Sequence, residues 1–366
     1  MKFRFRLRRQ IFATTLGLTL ISVSSLPVSA SEFSDSYSAY LQAVTDNDDE
    51  QARKLAEQTY RLGQAKFDKG SINLANLAFN YAGELADIAE QHVQANNLYL
   101  EVLASYRVEF GNEAIELIDP LVGAAQTSSS AKKAKAFFYE ALELTEEADN
   151  KLVHADMLEA TFDHLNRTDQ YNRTVRDFMF EAHDIYKDEL PEGALKRVTS
   201  AFTVASINFV EKKNTEETIL LLEEVVKQFS VLDYNHPYEL RAHAYLVDLY
   251  EREGESSKST QHCIAIGSMR PWLGDQEQVP LYRHSPNYPK SYARKGKEGW
   301  VQLSFTIDES GFVTDPKIID SKGGSRFETE SLKVIQKWRY APKFVNGKSV
   351  AAPSTVQLDY TMAKSR

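Results

Sequence analysis

Eight histidines and one cysteine are the side chains here best suited to metal binding or nucleophilic chemistry, and their spacing argues against both. His92, His154, His164, His183, His236, His243, His262 and His284 form no HExxH pair or other ligand spacing that would gather three donors around a metal. Asp156, Glu159 and Asp163 lie between His154 and His164, yet they recur at helical period and read as a solvated charged face. Cys263 stands alone, so it forms no internal disulfide, and within Gln261 to Gly267 it reads as a small buried apolar side chain. No phosphate-binding glycine loop and no Gly-x-Ser-x-Gly nucleophile turn is present. The sequence thus points away from an enzyme, and no cofactor or metal is expected.

The elements around these residues fall into distinct texts. Lys2, Arg4, Arg6, Arg8 and Arg9 precede an apolar stretch from Ile11 to Val23, and Val28-Ser29-Ala30 fits the small-x-small rule for signal peptidase. Residues 1–30 are expected to be a signal peptide cut after Ala30, which places the chain in the periplasm. If uncut, the segment anchors it to the inner membrane, but its threonines, serines and Pro27 weaken a span of ~20 residues. No cysteine follows the apolar core to take a lipid. Charge divides as sharply: residues 31–281 carry a net −21 and residues 282–366 a net +7. An acidic body with an export signal disfavours nucleic acid as a partner. A basic tail allows contact with anionic cell-wall polymer such as peptidoglycan.

Residues 31–267 read as an all-α domain. Leu100, Leu103, Ala104 and Val108 recur at helical period, and Ile219, Leu222, Val225, Val226 and Phe229 give a cleaner stripe. Breaks fall at Lys69-Gly70-Ser71, Gly111-Asn112, Gln126 to Ser130, Pro191-Glu192-Gly193, Asn235-His236-Pro237 and Glu253-Gly254. Helices joined by short polar turns stack as antiparallel hairpins, a helical repeat resembling degenerate tetratricopeptide units. Its job would be binding extended peptides or scaffolding. Pro271, Gly274, Pro280 and Pro286 then mark residues 268–287 as a linker.

Beyond the linker the period changes to two. Val301, Leu303, Phe305 and Ile307 alternate with polar residues, and Asp308 to Gly311 turns the chain back into a strand over Phe312 to Asp320. Pro316 marks that second strand as an edge or a bulge. Ser325 is placed to cap a helix that carries Phe327, Leu332, Val334, Ile335 and Trp338 and stops at Pro342. Asn346-Gly347 is a turn pair, and Val356, Leu358, Tyr360 and Met362 give a last strand. The order β-β-α-β makes residues 288–366 a small α+β domain with exposed sheet edges.

Tyr288-Pro289, Ala293, Glu298-Gly299, the strand from Val301 to Ile307, Gly311-x-Val313, Phe327, Trp338-Arg339-Tyr340-x-Pro342, Asn346-Gly347-Lys348 and the strand from Gln357 to Tyr360 together resemble the C-terminal domain of the TonB family. The resemblance runs from Leu281 to Met362, under a quarter of the chain. Pro289, Gly299, Gly311, Phe327, Trp338, Arg339, Tyr340, Pro342 and Gly347 are the residues that shape the domain; Trp338 is expected to fill its core.

What the resemblance implies is binding rather than catalysis. A periplasmic peptide of an outer-membrane TonB-dependent transporter, the TonB box, adds as a strand to the sheet edge, here Ser354, Thr355, Val356, Gln357, Leu358, Asp359 and Tyr360. Arg283, Ser285, Pro286 and Tyr288 correspond to the family's second contact region, with Ser285 in place of a glutamine. The implied role is to assist energy-coupled transport across the outer membrane. Family members reach the ExbB and ExbD motor through an uncut N-terminal helix and a proline-rich spacer, where this chain has a cleavable-looking signal and an acidic helical domain. Force would then arrive through a partner of the helical domain. The alternative is an envelope scaffold whose helices bind partners while the terminal module only anchors it.

Overall fold

The computed structural model describes residues 28–146, 150–232, 234–269 and 278–362. The expected signal segment therefore lies, up to residue 27, outside the described residues. Two compact units meet in sequence between Leu190 and Pro191.

The first unit is built from helices that each pack on their neighbours in the chain. They are α1 (Val28–Thr45), α2 (Asp49–Lys66), α3 (Ile72–Ala86), α4 (His92–Phe110), α5 (Ile118–Gln126), α6 (Ala131–Glu146), α7 (Lys151–Leu165) and α8 (Arg173–Glu189). Side-chain caps explain several starts: Asp48, Ser71, Asn150 and Asn172 each accept from a backbone N–H three residues on, satisfying an otherwise orphaned donor. The expected stripe on α4 is corrected. Leu100 and Val108 are exposed, and the buried apolar positions are Ala95, Leu98, Tyr99, Val102, Leu103 and Tyr106. The reason lies in Gly123 of α5: a Cβ there would sit 2.3 Å from the Tyr99 ring, so the bare backbone admits Tyr99 and rotates that face inward. The charged set on α7 divides: Asp163 is exposed as expected, whereas Asp156 and Glu159 are half-buried. The Tyr186 hydroxyl, on a fully buried ring, shares its one proton between Asp156 at 2.6 Å and Glu159 at 2.9 Å, which ties both carboxylates to α8.

The second unit begins with α9 (Leu195–Glu211), α10 (Thr215–Phe229), α11 (Pro237–Arg252) and α12 (Ser256–Met269). As expected for the α10 stripe, Leu222, Val225 and Phe229 join Phe202, Leu246 and Tyr250 in one core. After α12 come α13 (Lys290–Ala293), β1 (Gly299–Ile307), β2 (Val313–Lys322), α14 (Ser325–Ile335), β3 (Lys343–Val345), β4 (Lys348–Val350) and β5 (Ala352–Tyr360). An all-α array of helical hairpins followed by a small α+β module is the fold the sequence implied.

The main sheet has the order β2-β1-β5, all antiparallel, with α14 on one face. Val301, Leu303, Phe305 and Ile307 of β1 pack with Phe327, Val334, Ile335, Trp338, Leu358 and Tyr360 into a single core. Pro316 lies on an edge strand beside a shift in the β1–β2 register, with Asp315 at φ +50, as a residue unable to donate to a ladder should. Two local expectations are corrected. Ser325 is the first residue of α14 rather than its cap; Gly324 holds the cap position and no side chain caps the helix. The helix also ends at Ile335, well before Pro342, because Arg339 leaves it to pair with Tyr282 on one side and Phe312 on the other. Asn346 and Gly347, both at positive φ, turn a short hairpin of β3 and β4.

Candidate functional site

β5 is the structural element most exposed to a visiting strand. It pairs with β1 over nine successive residues, from Gly299 with Tyr360 to Ile307 with Ala352, without a register shift. Its other side has no ladder partner among the described residues. Side chains alternate as a half-buried strand requires: Leu358 and Tyr360 are buried and Ser354 and Val356 half-buried, while Thr355, Gln357 and Asp359 are exposed. Pro353 fixes which backbone groups look outward. It lacks an N–H and lies in the ladder opposite Thr306, so its nitrogen is placed on the free side. Backbone groups in an antiparallel strand alternate with period two, so Thr355, Gln357 and Asp359 present their N–H and C=O groups to the open edge. The opposite border, along β2, is broken by Pro316 and two register shifts, and is a poorer template.

The inner face of β5 is held rigid. The Tyr360 ring stacks on Phe327 at 4.2 Å; its hydroxyl donates to the Phe327 carbonyl at 3.2 Å and pairs with the Ser331 hydroxyl at 2.8 Å. Burial raises the Tyr360 phenol above its ordinary range, keeping it a neutral donor. Beyond Tyr360, the Met362 N–H donates to Glu298 at 2.9 Å, which closes that end of the edge.

The second set of expected contact residues divides. Tyr288 stands edge-on to both Phe327 and Tyr360, 5.5 and 5.8 Å away, and its hydroxyl donates to the Lys297 carbonyl at 2.6 Å. It is thus joined to the end of β5. Arg283 is instead held over the Trp338 ring at 4.8 Å, and the Trp338 indole donates to the His284 carbonyl at 2.8 Å. Ser285 is exposed and Pro286 half-buried. Among the shaping residues, Pro289 opens α13, and Phe327, Trp338, Arg339 and Tyr340 are all buried. Gly299 is obligatory because a Cβ there would lie 2.0 Å from the Lys322 carbonyl oxygen. Gly311 is doubly constrained, by φ +83 and by the Tyr340 carbonyl oxygen 2.1 Å from where its Cβ would be.

Arg339 does more than its sequence context suggested. Its side chain is 1% exposed and ion-pairs with Glu251 of α11. The same guanidinium donates to Thr260 of α12 at 2.9 Å and to the Ser310 carbonyl at 3.0 Å, and stacks on Phe312 at 3.6 Å. Around it Cys263, Ile266 and Val247 meet Ala341, and Gly267 lies so close that a Cβ would be 2.5 Å from the Pro342 carbonyl. The α+β module is therefore mounted on the α11–α12 hairpin. Burial pushes the Cys263 thiol up to about 11, so it is an inert packing group, as expected. A lone arginine in an otherwise apolar run was the signal for this contact; its partner Glu251, 88 residues earlier, carried none.

Among the described residues no group of three or more His, Cys, Asp or Glu side chains is arranged to hold a metal ion, and no helix is long and apolar enough to cross a membrane. The geometry defines helical hairpins in each unit and, in the second, a small sheet module with one regular open edge. Residues 284–362 match the family described as the Gram-negative bacterial TonB protein C-terminal. Over 94 residues the chain is 32% identical to Protein TonB of Pseudomonas aeruginosa, covering 26% of this chain and 28% of that relative. It is also 32% identical over 62 residues to Protein TonB of Escherichia coli, covering 17% and 26% of the two chains. The solution NMR structure of the Pseudomonas aeruginosa TonB CTD is 32% identical, with 26% of this chain and 95% of that chain covered and a TM-score of 0.23. The shared segment spans under a third of either curated relative, and the helices from α1 to α12 lie outside the family match.

Proposed function

We propose that this chain is a periplasmic protein that docks the TonB-box peptide of an outer-membrane TonB-dependent transporter on the β5 edge and assists energy-coupled transport. The observation that carries the reading is the outer side of β5, unpaired among the described residues, in a segment that matches the TonB C-terminal family. Backbone bonds from Thr355, Gln357 and Asp359 supply the grip, and the exposed side chains beside them tune it. In this reading residues 1–30 direct export, residues 268–287 divide the helical part from the TonB-like part, and Arg283, Ser285, Pro286 and Tyr288 add contacts. ExbB, ExbD or another motor component would act through the helical part, since pulling needs attachment at both ends.

Titration of the intact chain with a TonB-box peptide tests this against the variant Gln357→Pro/Asp359→Pro. Both prolines delete only outward N–H groups, so β5 stays paired to β1. Loss of two backbone bonds at roughly 1 kcal/mol each weakens binding on the order of 10-fold or more. Unchanged affinity in a folded variant rules out strand addition at this edge.

A second reading, an envelope scaffold in which the α+β module only anchors the chain, is favoured by the Arg339 mounting that ties this module to α11 and α12. It predicts that the intact chain binds no TonB-box peptide while retaining envelope partners, peptidoglycan among them.

A further inference from the structure

A cavity of about 200 Å³ opens between α6, α7 and α8. That is roughly six water volumes, enough for a planar charged head and part of its stem. Tyr139 and Phe178 form one corner, their rings 5.6 Å apart at 74°. Glu143, Glu146 and Glu181 ring the mouth, and Leu142 and Leu158 lie at the base.

His154 decides what the cavity asks of a ligand. The Thr145 hydroxyl donates to the Leu142 carbonyl at 3.0 Å, so its oxygen is left to accept from His154 Nδ1 at 2.9 Å. In the neutral ring the proton is thus on Nδ1, and the Nε2 lone pair faces Glu181, 3.8 Å away. With the ring neutral the cavity is dominated by acceptors: three carboxylates, an imidazole lone pair and the Phe178 ring, while the Tyr139 ring already carries Lys135. Glu143 and Glu146 have no ion-pair partner among the described residues, and Glu181 has only His154. Basic side chains on the neighbouring helices have contacts of their own. Lys151 pairs with Glu189 at 3.0 Å, Arg107 pairs with Glu140 at 2.6 Å, and Lys135 sits over Tyr139 at 5.0 Å.

We propose that this cavity binds an arginine side chain presented by a partner polypeptide. The guanidinium supplies what the site lacks, several donors in one plane and a delocalised positive charge that stacks on an aromatic face. Lysine fits the charge but has no planar cation to lay on the Phe178 ring. The site gives the helical part a partner-binding chemistry of its own, independent of the β5 edge.

The test is an NMR titration of the intact chain labelled in its Phe and Tyr rings. The probes are Nα-acetylarginine N-methylamide and its neutral isostere Nα-acetylcitrulline N-methylamide. The arginine probe should shift the Phe178 and Tyr139 ring signals saturably, and citrulline should bind about 10-fold more weakly or worse. Glu143→Gln/Glu181→Gln should weaken the arginine probe comparably while leaving the ring signals of Tyr186 and Phe202 in place. Absence of saturation by arginine, or equal binding of citrulline, overturns the proposal. So does full affinity in the double variant.

Discussion

Replacing Arg339 with methionine tests whether the α+β module is held on the α11–α12 hairpin by a buried charge. Methionine keeps most of the length and apolar volume, but it removes the ion pair to Glu251 and the donations to Thr260 and Ser310. Among the described residues Glu251, whose side chain is 10% exposed, is left with only the Ser256 hydroxyl at 3.0 Å. Breaking a buried pair from one side typically costs about 3–5 kcal/mol, because the surviving charge stays desolvated. Removing both partners costs far less, so Arg339→Met/Glu251→Met should recover most of the loss and give a coupling of roughly 3 kcal/mol. All three tryptophans follow Pro191 in the sequence, and Trp300 and Trp338 lie in the second unit, so tryptophan emission during urea unfolding reports that unit rather than the first. The loss should also resist added salt, since buried pairs are weakly screened. A single-variant cost below about 1 kcal/mol, or strictly additive single costs, would refute the reasoning.

Gly311→Ala should destabilise the second unit by about 2 kcal/mol or more, because φ +83 and the Tyr340 carbonyl both exclude a Cβ; urea midpoints report it. Tyr360→Phe strands the buried Ser331 hydroxyl and should cost about 1–2 kcal/mol, read in the same assay. His243 and His262, joined Nδ1 to Nδ1 at 2.7 Å between α11 and α12, are held down to about 4 by burial, with mutual repulsion adding to it at His243 and Glu223 opposing it at His262. The unfolded chain therefore binds more protons between about 6.5 and 4, so this stabilisation is whole above pH ~6.5 and drains as pH falls toward 4. A stability–pH profile of His243→Gln/His262→Gln should be flatter over that window; an unchanged slope contradicts the assignment.

Much of the architecture was readable because its signals are local. Alternation from Val301 to Ile307 and at Val356, Leu358 and Tyr360 located two strands, and turn residues located the helix breaks from Gly70 to Gly254. Failures came where distant residues decide. On α4 the spacing of Leu100 and Val108 suited a helix face, but Tyr99 faces inward because Gly123, in the next helix, leaves room for its ring. The end of α14 was misplaced because Trp338 keeps helical period, whereas Arg339 is drawn out by Tyr282 and Phe312. The β5 edge was legible as a strand with a polar face. Which of its amides look outward became clear only once Pro353 was seen paired opposite Thr306.

The nine-residue, unshifted pairing of β5 with β1 has a mechanical consequence. A ligand lying along β5 and tugged along its own axis strains that ladder in shear, with all its bonds sharing the load at once. A tug at right angles would peel them one by one. The strand border next to the irregular β2 ladder has no such reserve, since its two register shifts divide the bonds into short blocks.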